Sequence, residues 1–125
     1  MAAVIHACPP ILVPVVVVSE ANQREHHLAR YRRKKEQQRI ALLTLNAAVS
    51  PAKARALKPA GVWLTRVIAT RGRSMDADNL AGSFKHVQDA VAMWLGVDDA
   101  RLKWSYAQER GHVAGVRVEV WTEAT

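Results

Sequence analysis

Leu80, Phe84, Val87, Val91 and Leu95 recur at steps of three and four, the spacing that lines one side of a helix with apolar side chains. Gly96 follows, at the place where a left-handed residue ends a helix. Such a stripe must be buried against something, and the C-terminal part of the chain supplies it. Leu102, Trp104 and Tyr106 alternate with Lys103, Ser105 and Ala107, and Val116, Val118 and Val120 alternate with Arg117, Glu119 and Trp121. Period two is that of a half-buried strand. Gly111 and Gly115 lie between the two runs and predict a hairpin.

The upstream part is less regular. Residues 1–10 read as a loose lead-in, and the valine-rich residues 11–19 as a strand in which Pro14 requires an edge or a bulge. Residues 22–48 carry Glu, Gln, Arg, Lys, Ala and Leu without Gly or Pro and predict a long helix. Ser50-Pro51 has the form of an N-cap and first-turn proline for a short helix ending near Lys58-Pro59. Residues 62–71 predict a strand, and Asp78 an N-cap for the striped helix. The order is β-α-β-α-β-β: an α+β fold, a small mixed sheet with helices packed on it. With 125 residues there is room for one domain, 1–125, with a modest core.

Lys and Arg number 18 against 11 Asp and Glu, a net charge of +7 that favours an anionic polymer as partner. Cys8 is the only cysteine, so neither an intrachain disulfide nor a thiolate zinc site is expected, and a reducing cytoplasm fits. His6, His27 and Cys8 match no zinc spacing. The longest apolar run, residues 11–18, is too short to span a bilayer and is interrupted by Pro14; nothing before it reads as a signal peptide.

The basic charge is concentrated. Arg24, Arg30, Arg32, Arg33, Lys34, Lys35 and Arg39 crowd the first half of the long helix, with His26, His27 and Tyr31 interleaved and only Glu25 and Glu36 opposing. At 100° per residue, four consecutive cations point all around a helix. One reading is a surface that tracks phosphates, with binding that falls steeply with salt. The other is a solvated helix held by Leu42, Leu45 and Val49 further along.

Against this background Asp76-Ala77-Asp78-Asn79-Leu80, Lys85 and Asp98-Asp99 stand out. Carboxylates repel phosphate unless a divalent cation stands between them. In extended backbone, side chains two apart share a face, so Asp76 and Asp78 can reach one cation. Mg²⁺ suits one or two carboxylates plus waters and substrate phosphate, and held there it would polarise a phosphodiester and activate water. Lys85 would neutralise charge developing on phosphate. An EF-hand is excluded, because Leu80 and Ala81 stand where its loop needs an oxygen ligand and a glycine. The plainer alternative makes Asp78 a helix cap and Asp98-Asp99 a turn after Gly96.

These residues resemble the RusA-type Holliday-junction resolvases, small dimeric Mg²⁺-dependent endodeoxyribonucleases of bacteria and their phages. The shared pattern is Asp-x-Asp-Asn-Leu at the start of a helix, then Lys, Asp four residues later, and an Asp-Asp pair. The resemblance is strong over residues 73–99 and weak from Asn22 and Arg24. It implies Asp76, Asp78 and Asp99 as catalytic, metal-holding aspartates and Lys85 as the essential lysine. Asn79, Asp89 and Asp98 would support them, Asp89 through an ion pair with Lys85 one helical turn away. Lys85 lies three residues further from Asp78 than in the family pattern, so Ala81-Gly82-Ser83 reads as an insertion.

The expected activity is therefore metal-assisted hydrolysis of branched DNA by a homodimer using Mg²⁺, with Mn²⁺ as a substitute and no small-molecule substrate or membrane. The basic helix, with Arg71 and Arg73, would bind DNA. The rivals are a non-catalytic nucleic-acid-binding protein on the same fold and a basic interaction module with no nucleic-acid role. One unbroken helix over 79–95 would hold Asp78 and Asp99 about 25 Å apart. Either that helix stops early, or Asp99 reaches the site from a second subunit.

Overall fold

The computed structural model describes residues 3–20, 23, 26–69 and 71–124. Strands β1 (Val4–His6), β2 (Ile11–Val13), β3 (Gly61–Ile68), β4 (Lys103–Arg110) and β5 (Gly115–Glu123) form one mixed sheet. Helices α1 (His27–Ala48), α2 (Pro51–Arg55), α3 (Ala77–Ser83) and α4 (Lys85–Leu95) complete an α+β fold, with a 3-10 turn at Asp99–Arg101.

The expected hairpin does not form. β3 lies between β4 and β5, parallel to β4 (Val62 opposite Trp104, Arg66 opposite Gln108) and antiparallel to β5 (Leu64 opposite Val118). β3 carries Val62, Leu64 and Ile68, all buried, and takes the centre of the sheet. Two strand spacings, about 9.6 Å, separate β4 from β5. Residues 111–114 cross that gap, and Gly111 N–H donates to the Ile68 carbonyl at 3.0 Å as they leave β4. The glycines thus serve a crossing over the end of a third strand.

Three of the strand and lead-in readings need correction. Residues 4–6 are not a loose lead-in but form β1, paired with β5 (Val4 opposite Glu123, His6 opposite Trp121). The strand expected over 11–19 stops at Val13, because Pro14 has no N–H for the ladder. The inward-outward alternation nevertheless continues: Val15 and Val17 are buried while Val16 is exposed. The strand expected over 62–71 ends at Ile68, which leaves Arg71 in a turn closed by Gly72 N–H to the Ala69 carbonyl.

The core lies between the sheet and the helices. Leu80, Phe84, Val87, Val91 and Leu95 are all buried, as are Val116, Val118 and Val120. Phe84 has no exposed surface, and truncating such a ring to alanine costs about 3–5 kcal/mol. Trp94 Nε1 donates to the Val49 carbonyl at 3.0 Å and ties α4 to the end of α1. At Gly96, with φ of +67°, the chain closes a Schellman motif: Val97 N–H reaches the Ala92 carbonyl and Gly96 N–H that of Met93. On the uncovered sheet face Trp121 stacks on Trp63 and lies over Gly61, where a Cβ would come within 2.3 Å of the indole.

The striped helix is divided. Phe84 (φ −86°, ψ −4°) separates α3 from α4 directly after the residues read as an insertion. Leu80 and Val87, on either side of the break, both face the core.

Candidate nucleic-acid interface

Asp76, not Asp78, caps α3. Its backbone is extended (φ −69°, ψ 167°), and its carboxylate accepts from Asn79 N–H at 2.9 Å and Asn79 Nδ2 at 3.1 Å. Asp78 lies in the first helical turn, exposed, where a negative charge is favoured by the helix N-terminus. Because Asp78 is already helical, the period-two argument for a shared face does not apply. Both carboxylates stand at the start of α3, Asp76 as its cap and Asp78 in its first turn. Asn79 holds Asp76 in place through its backbone N–H and its side-chain amide.

The loop that delivers Asp76 is gripped from below. Gln108 donates through Nε2 to the Met75 carbonyl at 2.6 Å and accepts from Met75 N–H at 3.0 Å, so its amide imitates a neighbouring strand. Arg66 Nη1 donates to the Arg73 carbonyl (2.7 Å) and to Gln108 Oε1 (3.2 Å), and Arg110 Nη1 to the Gly72 carbonyl (3.0 Å). Burial, and then the charge of Arg110, push the Arg66 guanidinium below its ordinary pKa. Sequence reasoning missed Gln108, Arg66 and Arg110. The signal was there: each is polar at an inward phase of a strand, after Trp104 and Tyr106 or after Val62 and Leu64.

Lys85 opens α4 just after the break and is exposed; no ion pair joins it to Asp89. Its neighbour His86 is buried, with Nε2 3.6 Å from Glu20 Oε1 and neither ring nitrogen hydrogen-bonded. Burial lowers the His86 pKa, and the Glu20 charge opposes that shift.

Asp98 and Asp99 lie elsewhere. Asp98 caps the 3-10 turn by accepting from Ala100 N–H at 3.0 Å, and the Asp99 carbonyl accepts from Trp104 Nε1 at 2.9 Å. Asp99 is therefore anchored at Trp104 and Asp76 next to Gln108, four residues along β4, or about 13 Å. The break at Phe84 divides the rod expected over 79–95 into α3 and α4. Between the two ends Tyr106 stacks on Phe84 and donates to Gln88 Oε1 at 2.6 Å; burial raises its phenol pKa. Among the described residues no three His, Cys, Asp or Glu side chains gather as a group that could hold an ion. Asp76 and Asp78 carry hard oxygen donors of the kind Mg²⁺ takes alongside waters and phosphate.

The basic helix separates into parts with different roles. Residues 27–32 are exposed all round, so roughly six residues, or about 9 Å of helix, stand open to solvent ahead of Arg33. Arg33 turns inward and pairs with Glu20 at 2.9 and 2.7 Å, which holds the Glu20 carboxyl below its usual range. Arg39 pairs with Glu36, Arg30 donates to the Gln23 carbonyl, and Lys35 lies 5.4 Å from the Tyr31 ring centre. Arg32 and Lys34 are exposed, and the base of the helix is held by Leu45, with Leu42 and Val49 half-buried against the core. Arg24 lies outside the described residues.

No helix among the described residues is long and apolar enough to cross a membrane. No protein-family model matches the chain, and no curated protein matches it.

Proposed function

We propose that this protein is a divalent-metal-dependent endonuclease selective for branched DNA, of the RusA type, acting as a homodimer in the cytoplasm. One observation carries the reading: Asp76 and Asp78 open α3 on a loop gripped by Arg66, Gln108 and Arg110, so acidic groups stand beside an unneutralised basic cluster. Asp76 and Asp78 would hold Mg²⁺ or Mn²⁺, which when bound supplies charge neutralisation and polarisation at a phosphodiester. Asn79 fixes Asp76, and Gln108 fixes the backbone in front of it. Lys85 would meet charge growing on the phosphate. Arg71, Arg73 and the projecting part of α1 would position the DNA arms, and Asp99 would complete the ligand set from the second subunit.

The placement of Asp99 at the far end of β4 also favours a second reading, a branched-DNA-binding protein without cleavage. Incubating the protein with a four-way junction and with linear duplex, with and without Mg²⁺, separates the readings. Junction cleavage that needs Mg²⁺ supports the first. Junction binding without cleavage supports the second, and neither binding nor cleavage rejects both.

A further inference from the structure

The four guanidinium groups around the loop after β3 have no carboxylate partners. Among the described residues no Asp or Glu lies within ion-pair distance of Arg66, Arg71, Arg73 or Arg110. The sheet explains why. Glu109, next to Arg110 in sequence, points to the opposite face and pairs with Arg117, which also holds Glu119 at 2.8 Å. Asp76 is engaged by Asn79. The cations on this side are therefore left with their own repulsion, and the depressed pKa of Arg66 is partly its consequence.

Two cavities share Ile68 in their walls. One, of 240 Å³, is lined by Val15, Val17 and Ile68 together with Arg66 and Arg71. The other, of 450 Å³, is formed by Ile68, Arg110, Gly111 and His112. The hydrogen bonds that Arg66 and Arg110 make to protein use Nη1 alone, which leaves the Nε and Nη2 donors of each group for a ligand. Paired N–H donors in a fixed plane match the oxygens of a phosphodiester. Each loop carbonyl that receives Nη1 also limits the guanidinium's rotation, so little ordering remains to be done on binding.

We propose that Arg66, Arg71 and Arg110 form a cradle for the phosphodiester backbone of a nucleic-acid strand, one that engages a phosphate next to the one facing Asp76 and Asp78. The cradle rests on the reading of nucleic acid as the partner, and it deepens that reading by assigning Arg66 and Arg110, inward residues of two strands, to strand binding rather than to packing alone.

The test uses the wild-type protein, so no variant has to fold. The arginine Nε–Hε resonances are followed by NMR during titration with a six-residue oligothymidylate, and separately with inorganic phosphate. The Arg66 and Arg110 signals should shift saturably with the oligonucleotide and much less with phosphate at equal concentration. Unmoved signals at saturation would overturn the cradle, and equal shifts with phosphate would overturn its assignment to a strand. A second measurement uses Arg110→Gln, which should weaken binding to junction and duplex alike, by roughly tenfold, and flatten the log–log salt slope by about 0.9. An unchanged slope would contradict the proposal. If the signals shift but junctions are never cut, the nuclease reading fails and the cradle stands.

Discussion

The strand pair β3–β4 has two ends, and aspartates stand at both. At the end that follows Ile68, side chains rising from the sheet hold a loop by its carbonyls and N–H groups, and Asp76 and Asp78 emerge from it beside arginines that no carboxylate among the described residues neutralises. At the end that precedes Lys103, Asp98 caps a single 3-10 turn and the Asp99 backbone is pinned by Trp104. Local backbone needs account for the second end without any ligand. They do not account for the first, where three polar side chains are committed to positioning a loop and like charges are left together. A constellation that looks like one motif along the chain is thus two places in the fold with different physical demands.

The largest expected effect lies at the first end. Asp78→Asn should abolish junction cleavage, by more than the roughly 100-fold that follows loss of a group just outside a ligand set. Junction binding should survive or tighten, since a repulsion with phosphate is relieved, and the helix should lose only about 0.3–1 kcal/mol from its first-turn charge. Cleavage at the wild-type rate would make Asp78 a helix-end charge and nothing more.

The two ends can also be set against each other. Asp78→Asn and Asp99→Asn proteins should each be inactive, and a mixture allowed to exchange subunits should regain nicking of one strand, because a heterodimer with shared sites carries one intact set. A mixture that stays inactive after exchange is demonstrated would confine each site to one chain and remove Asp99 from it.

Gln108→Ala should give an intermediate loss. The change frees both bonds to Met75, at a stability cost of about 1–3 kcal/mol. Cleavage should fall roughly 10- to 100-fold, the range for groups that orient ligands, with junction affinity nearly kept. Affinity falling in step with cleavage would show that the loop binds DNA but orients no carboxylate.

The smallest effect belongs to the projecting helix. Arg32→Ala with Lys34→Ala should lower the salt slope by about 0.9 for each phosphate that the helix no longer neutralises, and leave the melting temperature unchanged. Arg33→Ala should instead lower the melting temperature, because the largely buried Glu20 loses the guanidinium that pairs with it. Identical slopes for wild type and the double variant would return α1 to a solvated helix.

Local pattern made much of the fold legible. The stripe from Leu80 to Leu95 is buried as its spacing requires, Gly96 ends the helix, and Ser50 caps α2 by accepting from Lys53 N–H. What stayed hidden was non-local. Nothing in Val4, Ile5 and His6 announces a partner more than a hundred residues away, and alternation in β4 and β5 says which face is buried but not which strand is the neighbour. At the candidate site the acidic residues could be found along the chain. Their separation into two ends could not, because it depends on the loop before α3 meeting β4 at Gln108 and the 3-10 turn meeting it at Trp104. The positioning residues Arg66 and Gln108 were visible only as polar breaks in an apolar phase.

Manganese-induced relaxation of backbone amide signals tests the central claim most directly. If the end carrying Asp76 and Asp78 is the metal site, substoichiometric Mn²⁺ should broaden the amides of Ala77, Asp78, Asn79 and Leu80 first, and Asp78→Asn should suppress the effect. Broadening centred on Asp98, Asp99 and Ala100 with residues 77–80 sharp, or no localised broadening at either end, would contradict the account.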